Sequence, residues 1–429
     1  MKREADLLVS NCSQLLTLQN HSLTLRRGEA LGDLGLIPYG AFAAHKGRII
    51  ASGTLAEVES VLSPVADFIS IDASRSVVMP GFVDCHTHTV FADYRLEEYE
   101  WRLKGKPYAE IAKAGGGIAK SVADLRGMGE EELLAVSRRR LNGCIANGST
   151  TIEIKSGYGL NLQHELKQLR VIGELGRTSA ATIVPTFCGA HSIPAEYADK
   201  REEFIDIVIE DMIPAVTSAG LAEYIDIFCE TGVFTVPEAE RILRTGVKSG
   251  LKARLHADEL SDTGGAELAV RLGAVSADHL TKISPDSIKR LAESSVIAVL
   301  LPGTSFGLPS LEFAPAREMI DKGVAVALAS DFNPGSSPSE SMSMMIAIAC
   351  SHMKFTPAEA IAAATYNSAF VVGRERDAGS LEVGKRADFL ILECEDYREI
   401  PYRFGINPVR QVFIGGERWF PDEVQGNSR

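Results

Sequence analysis

The chain has 429 residues, 45% of them hydrophobic, and a formal net charge of −13. That is enough apolar material for a barrel-sized domain and something smaller. The acidic balance argues against nucleic acid and anionic membrane surfaces as partners, because both select for basic patches, and the longest apolar stretches, 296–301 and 344–349, fall far short of the ~20 residues a spanning helix needs.

Met1-Lys2-Arg3-Glu4-Ala5-Asp6 leads into polar-interrupted, strand-like sequence rather than an apolar signal segment. The seven cysteines are scattered and never form C-x-x-C, which reads as reduced thiols in a cytoplasm. Short strands separated by turns are predicted at 7–10, 15–18, 40–45, 48–53 and 68–71. Similar signals return only at 387–392 and 409–416. The expectation is therefore a small composite β-sandwich built from both chain ends, 1–76 and 377–429, with a larger domain over 77–376 inserted between.

That larger domain opens with the apolar run 77–82, read as one buried strand that closes in Val83-Asp84-Cys85-His86-Thr87-His88. Residues i and i+2 of a strand share a face, so His86 and His88 point the same way. Two convergent imidazoles suit a borderline metal such as zinc or iron, which would draw further His or carboxylate ligands. An excursion over 96–125, containing Gly115-Gly116-Gly117, is a candidate lid. Arg138-Arg139-Arg140, after Glu130-Glu131-Glu132, reads as a solvated, salt-bridged helix face.

Strands follow at 150–154, 181–186 and 224–228, alternating with helical periods. Then 251–255 runs into His256-Ala257-Asp258-Glu259, 273–277 into Asp278-His279, and 324–329 into Ser330-Asp331-Phe332-Asn333-Pro334-Gly335. Counting gives eight strands, hence an α/β class (β/α)8 barrel. Each polar group falls at a strand's C-terminal end, the barrel face where loops gather catalytic residues. Singly, each has a plainer reading: a lone His at a strand end is commonly structural, and Asp-x-Asn-Pro-Gly is good turn chemistry. Four strand ends repeating the placement favour a metal site.

Pro80-Gly81-Phe82-Val83-Asp84-Cys85-His86-Thr87-His88 resembles the opening motif of the metal-dependent amidohydrolase superfamily, and 379–389 resembles the return into its composite β domain. A more specific resemblance, to one branch of that superfamily, rests on Glu153-Ile154-Lys155-Ser156-Gly157-Tyr158-Gly159-Leu160, Gly189-Ala190-His191 and Ser330-Asp331-Phe332-Asn333-Pro334-Gly335-Ser336. It spans essentially the whole chain. The resemblance implies hydrolytic opening of 4-imidazolone-5-propanoate to N-formimino-L-glutamate in histidine degradation, and a homodimer. It further implies that His86, His88, His256 and Asp331 hold one metal, zinc or iron. Arg95, Tyr158, His191, Glu259, Asn333, Gly335 and Ser336 would contact substrate or product, with Ser336 standing where relatives often carry Thr.

A ring amide resists neutral water, so the metal's task is to activate water and polarise the carbonyl. The leaving nitrogen needs a proton, and Glu259 is the candidate acid. His279 either accepts the water's proton, with Asp331 able to assist, or holds another ligand in place. Lys155 reads as a substrate-side or structural charge, while Glu230 keeps a two-metal site open. For an anionic small-molecule substrate, Arg95 offers a carboxylate fork, or else it pairs with Glu97 or Glu98. A deaminase acting on a neutral base, or a barrel kept only as a scaffold, are the other readings.

Overall fold

Alternating apolar and polar residues at the start of the chain build β1 (Arg3–Leu16), β2 (Leu36–His45), β3 (Arg48–Thr54) and β4 (Leu62–Asp72). In this computed structural model the described residues are 2–20, 22–106, 110, 115–308 and 312–421. The strands expected at 7–10 and 15–18 are one strand, β1, whose register against β2 shifts near Asn11, a residue with φ +57°. Such a bulge bends the strand. Its first half pairs with β4 and its second with β5 (Val77–Pro80).

The run 77–82, expected as one strand, is two. β5 joins the sheet of the chain ends, whereas β6 (Phe82–Asp84) joins the barrel, so the change of sheet falls at Gly81, beyond the expected boundary at 77. The reason is steric: a Cβ at Gly81 would lie 2.2 Å from Thr150 Oγ1. Only glycine lets the chain cross so close to the neighbouring strand.

The barrel continues through β7 (Ser149–Lys155), β8 (Thr182–Ala190), β9 (Tyr224–Cys229), β10 (Lys252–Ala257), β11 (Ser276–His279), β12 (Ile297–Leu300) and β13 (Val326–Leu328). With β6 these make eight parallel strands in sequence order. They read as largely apolar runs because both faces are covered, broken by buried charges such as Glu153, Asp226 and Arg254. The first and last strands meet through a Thr87–Phe332 bridge, with His88 N–H donating to Phe332 O at 2.9 Å and Asp331 N–H to His86 O at 3.0 Å. Buried Asp84 adds a side-chain link there, accepting from Ser330 N–H at 3.0 Å and Ser330 Oγ at 2.5 Å.

The chain then returns as β14 (Phe389–Leu392), β15 (Val409–Ile414) and β16 (Glu417–Arg418), with β14 antiparallel to β5. These strands and β1–β5 form one continuous eight-stranded sheet, which encloses Leu7, Val9, Phe42, Val78, Phe389 and Phe413, with Phe389 stacked on Phe413 at 4.3 Å. The opposite face of β5, β14 and β15 shares the barrel's core through Met79, Leu390 and Val412. Arg140 departs from the solvated face expected of its triplet: it turns inward over the Phe91 ring at 3.5 Å and donates to Phe91 O and Ala92 O. Arg139 is exposed, and Glu130, paired with Arg170, also keeps to the surface reading.

Candidate metal centre and active-site cavity

The barrel's C-terminal face brings His86, His88, His256, His279 and Asp331 together. His86 and His256 rings stand 4.6 Å apart, and His256 and His279 rings 5.1 Å. Asp331 Oδ1 is 3.5 Å from His86 Nε2 and 3.8 Å from His88 Nε2, while His88 and His256 bring their Nε2 atoms to 3.4 Å. His86 Nε2 and His279 Nε2 are buried without a hydrogen-bond partner. A buried lone pair left unmatched is costly, and a metal ion would satisfy several at once. His86, His88 and Asp331 form one potential ligand group, and His86, His256 and His279 another.

Two of these imidazoles are fixed from behind. His86 Nδ1 lies 2.6 Å from Asp278 Oδ2, which accepts from Arg254 Nη2 at 2.8 Å. His256 Nδ1 lies 3.0 Å from Asp226 Oδ1, and Asp226 Oδ2 is 2.7 Å from Lys155 Nζ. A carboxylate at Nδ1 sets the tautomer and leaves Nε2 free as a ligand. Burial would raise Asp226, but Lys155 and His256 outweigh it and hold its carboxyl well below the usual range. Burial, reinforced by Lys155 and neighbouring imidazoles, pulls His86 and His88 well down, so both stay neutral. Lys155 is fully buried beneath the centre, which makes it the structural charge of the two readings. Glu230 accepts from the N–H groups of Thr231 and Leu260, each at 2.8 Å, and so ties two loop segments together.

Backbone geometry is unusual at the same strand ends. Asp258, His279, Leu280 and Asp331 all have positive φ, between +50° and +77°. For residues with a Cβ this costs about 1–3 kcal/mol each, and such strain gathers at functional sites.

Above the centre is a cavity of about 680 Å³. Every site residue expected from the sequence lines it except His86, which lies beneath. Glu259 follows the β10 end with its Oε2 3.6 Å from His279 Nδ1, and burial together with Asp331 pushes its carboxyl up to about 8. Burial also pushes Asp331 up to about 6, while Thr304 Oγ1 donates to its Oδ2 at 2.5 Å. His279 is held well below its ordinary value by burial and His256, and His191 down to about 3 for the same reasons. His191 stacks on His88 at 4.8 Å, and Tyr158 packs against both rings. Asn333 spends its amide on its own loop, accepting from Gly335 and Ser336 N–H at 2.7 and 2.8 Å and donating to Ser336 Oγ at 2.9 Å.

Arg95 lines the cavity and pairs with Glu98 at 3.3 Å, one of the two glutamates named as its possible partners. Buried Glu98 in turn accepts from Gly117 N–H at 2.7 Å. Gly335 makes room for the guanidinium, since a Cβ there would fall 1.2 Å from Arg95 Nη2. A second cation, Arg102, also lines the cavity and donates to Gly335 O at 2.8 Å. Sequence reasoning gave no role to Arg102, Thr304, Asp226 and Arg254, and named Asp278 only as a strand-end polar group. The lid expected at 96–125 includes helices Leu96–Leu103 and Ile118–Gly127, but residues 107–109 and 111–114 lie outside the described residues.

A barrel carrying this His/Asp centre and a composite β domain is the architecture of metal-dependent hydrolases. The sequence profile of the amidohydrolase family matches residues 190–418, and the chain belongs to that family. The imidazolonepropionase of Symbiobacterium thermophilum is 47% identical over 415 residues, covering 96% of this chain and 97% of the relative. That of Geobacillus kaustophilus is 46% identical over 412 residues, covering 96% and 97%. Among solved structures, an adenosine deaminase from Xanthomonas campestris with bound zinc superposes with a TM-score of 0.69 at 18% identity, covering 97% of this chain and 93% of that one. Guanine deaminase of E. coli gives 0.72 at 13% identity, covering 97% and 99%. Likeness at those identities concerns the fold alone.

Proposed function

We propose that the protein is an imidazolonepropionase, opening the ring of 4-imidazolone-5-propanoate by hydrolysis to N-formimino-L-glutamate, the third step of histidine degradation. The observation that carries this reading is a single cavity lined at its floor by His88, His256 and Asp331 and at its wall by Arg95 and Arg102. A hydrolytic centre thus faces two guanidinium groups suited to a carboxylate arm. His86, His88, His256 and Asp331 would hold one zinc or iron ion, an assignment supported by the unpartnered Nε2 of His86 and the carboxylate behind His256.

When bound, the metal supplies an activated water and polarises the ring carbonyl. His279, held neutral, takes the proton of the attacking water, and Asp331 assists as an acceptor. Glu259 keeps a proton through neutral pH and hands it to the ring nitrogen as the C–N bond breaks. Arg95 and Arg102 hold the propanoate, while Tyr158 and His191 bound the ring and Asn333 keeps the Gly335-Ser336 loop in shape. A deaminase reading would leave both arginines without a purpose.

The protein would work in the cytoplasm as a homodimer, for which exposed Tyr402 and Phe404 (84% and 74%) offer apolar surface to bury; light scattering at the monomer mass would refute the dimer. The activity is tested by incubating purified metal-loaded protein with imidazolone propionate. Formimino-glutamate is the expected product. Ammonia released from a purine or pyrimidine, with no ring opening, would refute the reading.

A further inference from the structure

Glu153 sits inside β7 with no solvent exposure, and neither substrate binding nor proton transfer uses it. Its two oxygens reach three parts of the centre. Oε2 accepts from the backbone N–H of Thr87, the residue between His86 and His88, at 3.2 Å. Oε1 accepts from Lys155 Nζ at 2.8 Å and lies 3.2 Å from Arg254 Nη1. Lys155 is the cation behind Asp226 and His256; Arg254 is the cation behind Asp278 and His86. Three of the four ligands therefore trace back to one carboxylate.

Charge makes the arrangement consequential. Lys155 and Arg254 are both fully buried and close enough to repel each other. Asp226 and Asp278 each pair with one of these cations, so Glu153 is the third carboxylate against two cations and gives the buried cluster its excess negative charge. Without it the cluster loses the charge that favours an incoming metal cation through a low-dielectric interior, where charge is poorly screened.

We propose that Glu153 is a positioning residue that sets metal affinity, by joining the Lys155–Asp226–His256 and Arg254–Asp278–His86 chains and anchoring the backbone between His86 and His88. The inference rests on the ligand set proposed above. An ordinary structural ion pair would stabilise the fold equally with and without metal, whereas this one acts on the ion.

The test is zinc affinity by competition with a chelating indicator, alongside the melting temperature of the metal-free protein, for Glu153→Gln and Glu153→Asp. Loss of a supporting partner of this kind typically lowers metal affinity about 10–100-fold, and Glu153→Gln should fall in that range. Glu153→Asp keeps the charge but is too short to span all three donors, so its affinity should lie between Gln and the parent. Its metal-free melting temperature should stay close to the parent's. Parental zinc affinity in these variants, with or without a lower metal-free melting temperature, would overturn the proposal; if the Gln variant does not fold, the Asp variant decides on the same readouts. His256→Ala separates the two claims: retained zinc there refutes the ligand set, while lost zinc there with parental affinity in the Glu153 variants refutes this inference alone.

Discussion

The floor and the wall of the cavity are made from the same residue types, arginines and acids, under different conditions. Directly beneath the floor, and supporting it, Glu153, Lys155, Asp226, Arg254 and Asp278 have essentially no exposure and are bound to one another. On the wall, Arg95 and Arg102 sit at the start and end of the helix Leu96–Leu103, whose other side exposes Leu96 and Leu103 (72% and 65%). Buried ion pairs are held rigidly because removing one partner strands the other, at about 3–5 kcal/mol. Partly solvated arginines keep more freedom and are tuned by geometry. The floor should therefore govern whether a metal is present, and the wall which anion is taken up.

The strongest way to break this division is His256→Ala, which should abolish both bound metal and activity; full occupancy by elemental analysis would show that the floor is not the ligand set. Next, Glu259→Gln should keep the metal yet lower kcat about 10²–10⁴-fold, the usual worth of a positioned acid. Because the carboxyl titrates near 8, it is protonated below that pH and loses its proton above it. The parent's kcat should decline on the alkaline side with a midpoint near 8, and residual activity of Glu259→Gln should lack that limb. An identical alkaline limb in the variant would remove Glu259 from the acid role.

On the wall, Arg95→Met should cost about 2–4 kcal/mol in kcat/KM, since the propanoate would be desolvated without its partner. Arg95→Lys should recover part of that, with unchanged metal content. Wild-type kcat/KM in Arg95→Met would leave the anion without its anchor. The smallest effect belongs to Arg102→Met, at about 1 kcal/mol and mainly in KM, because this arginine already spends one bond on Gly335 O. A drop in metal content with Arg102→Met would blur the boundary between the two regions.

Much of this was legible in the sequence, for a physical reason: polar side chains at strand ends interrupt apolar runs, so His86, His88, His256, His279 and Asp331 stand out. The break at Gly81 was not, because the residues on either side are equally apolar and the obstacle is Thr150, distant in the chain. Asp226 and Arg254 were visible as charges inside apolar strands, but their pairing across neighbouring strands has no one-dimensional trace. Arg102 did leave a signal, since seven residues from Arg95 is two helical turns and therefore the same face. Arg140 shows the opposite error, a charge run read as uniformly solvated when one member points inward.

The seam between the first and last strands has a bearing on how the protein matures. His86 and His88 emerge early from the ribosome, but Asp331 and the Phe332 backbone that grips Thr87 arrive some 240 residues later. Contacts so distant in the chain form slowly. On the proposed ligand set, a nascent chain would carry two histidines before the rest of their site exists, and uptake of the ion should come late, gated by ring closure. Refolding with zinc present from the outset should show uptake lagging behind secondary structure, and stopped-flow uptake simultaneous with it would refute that order.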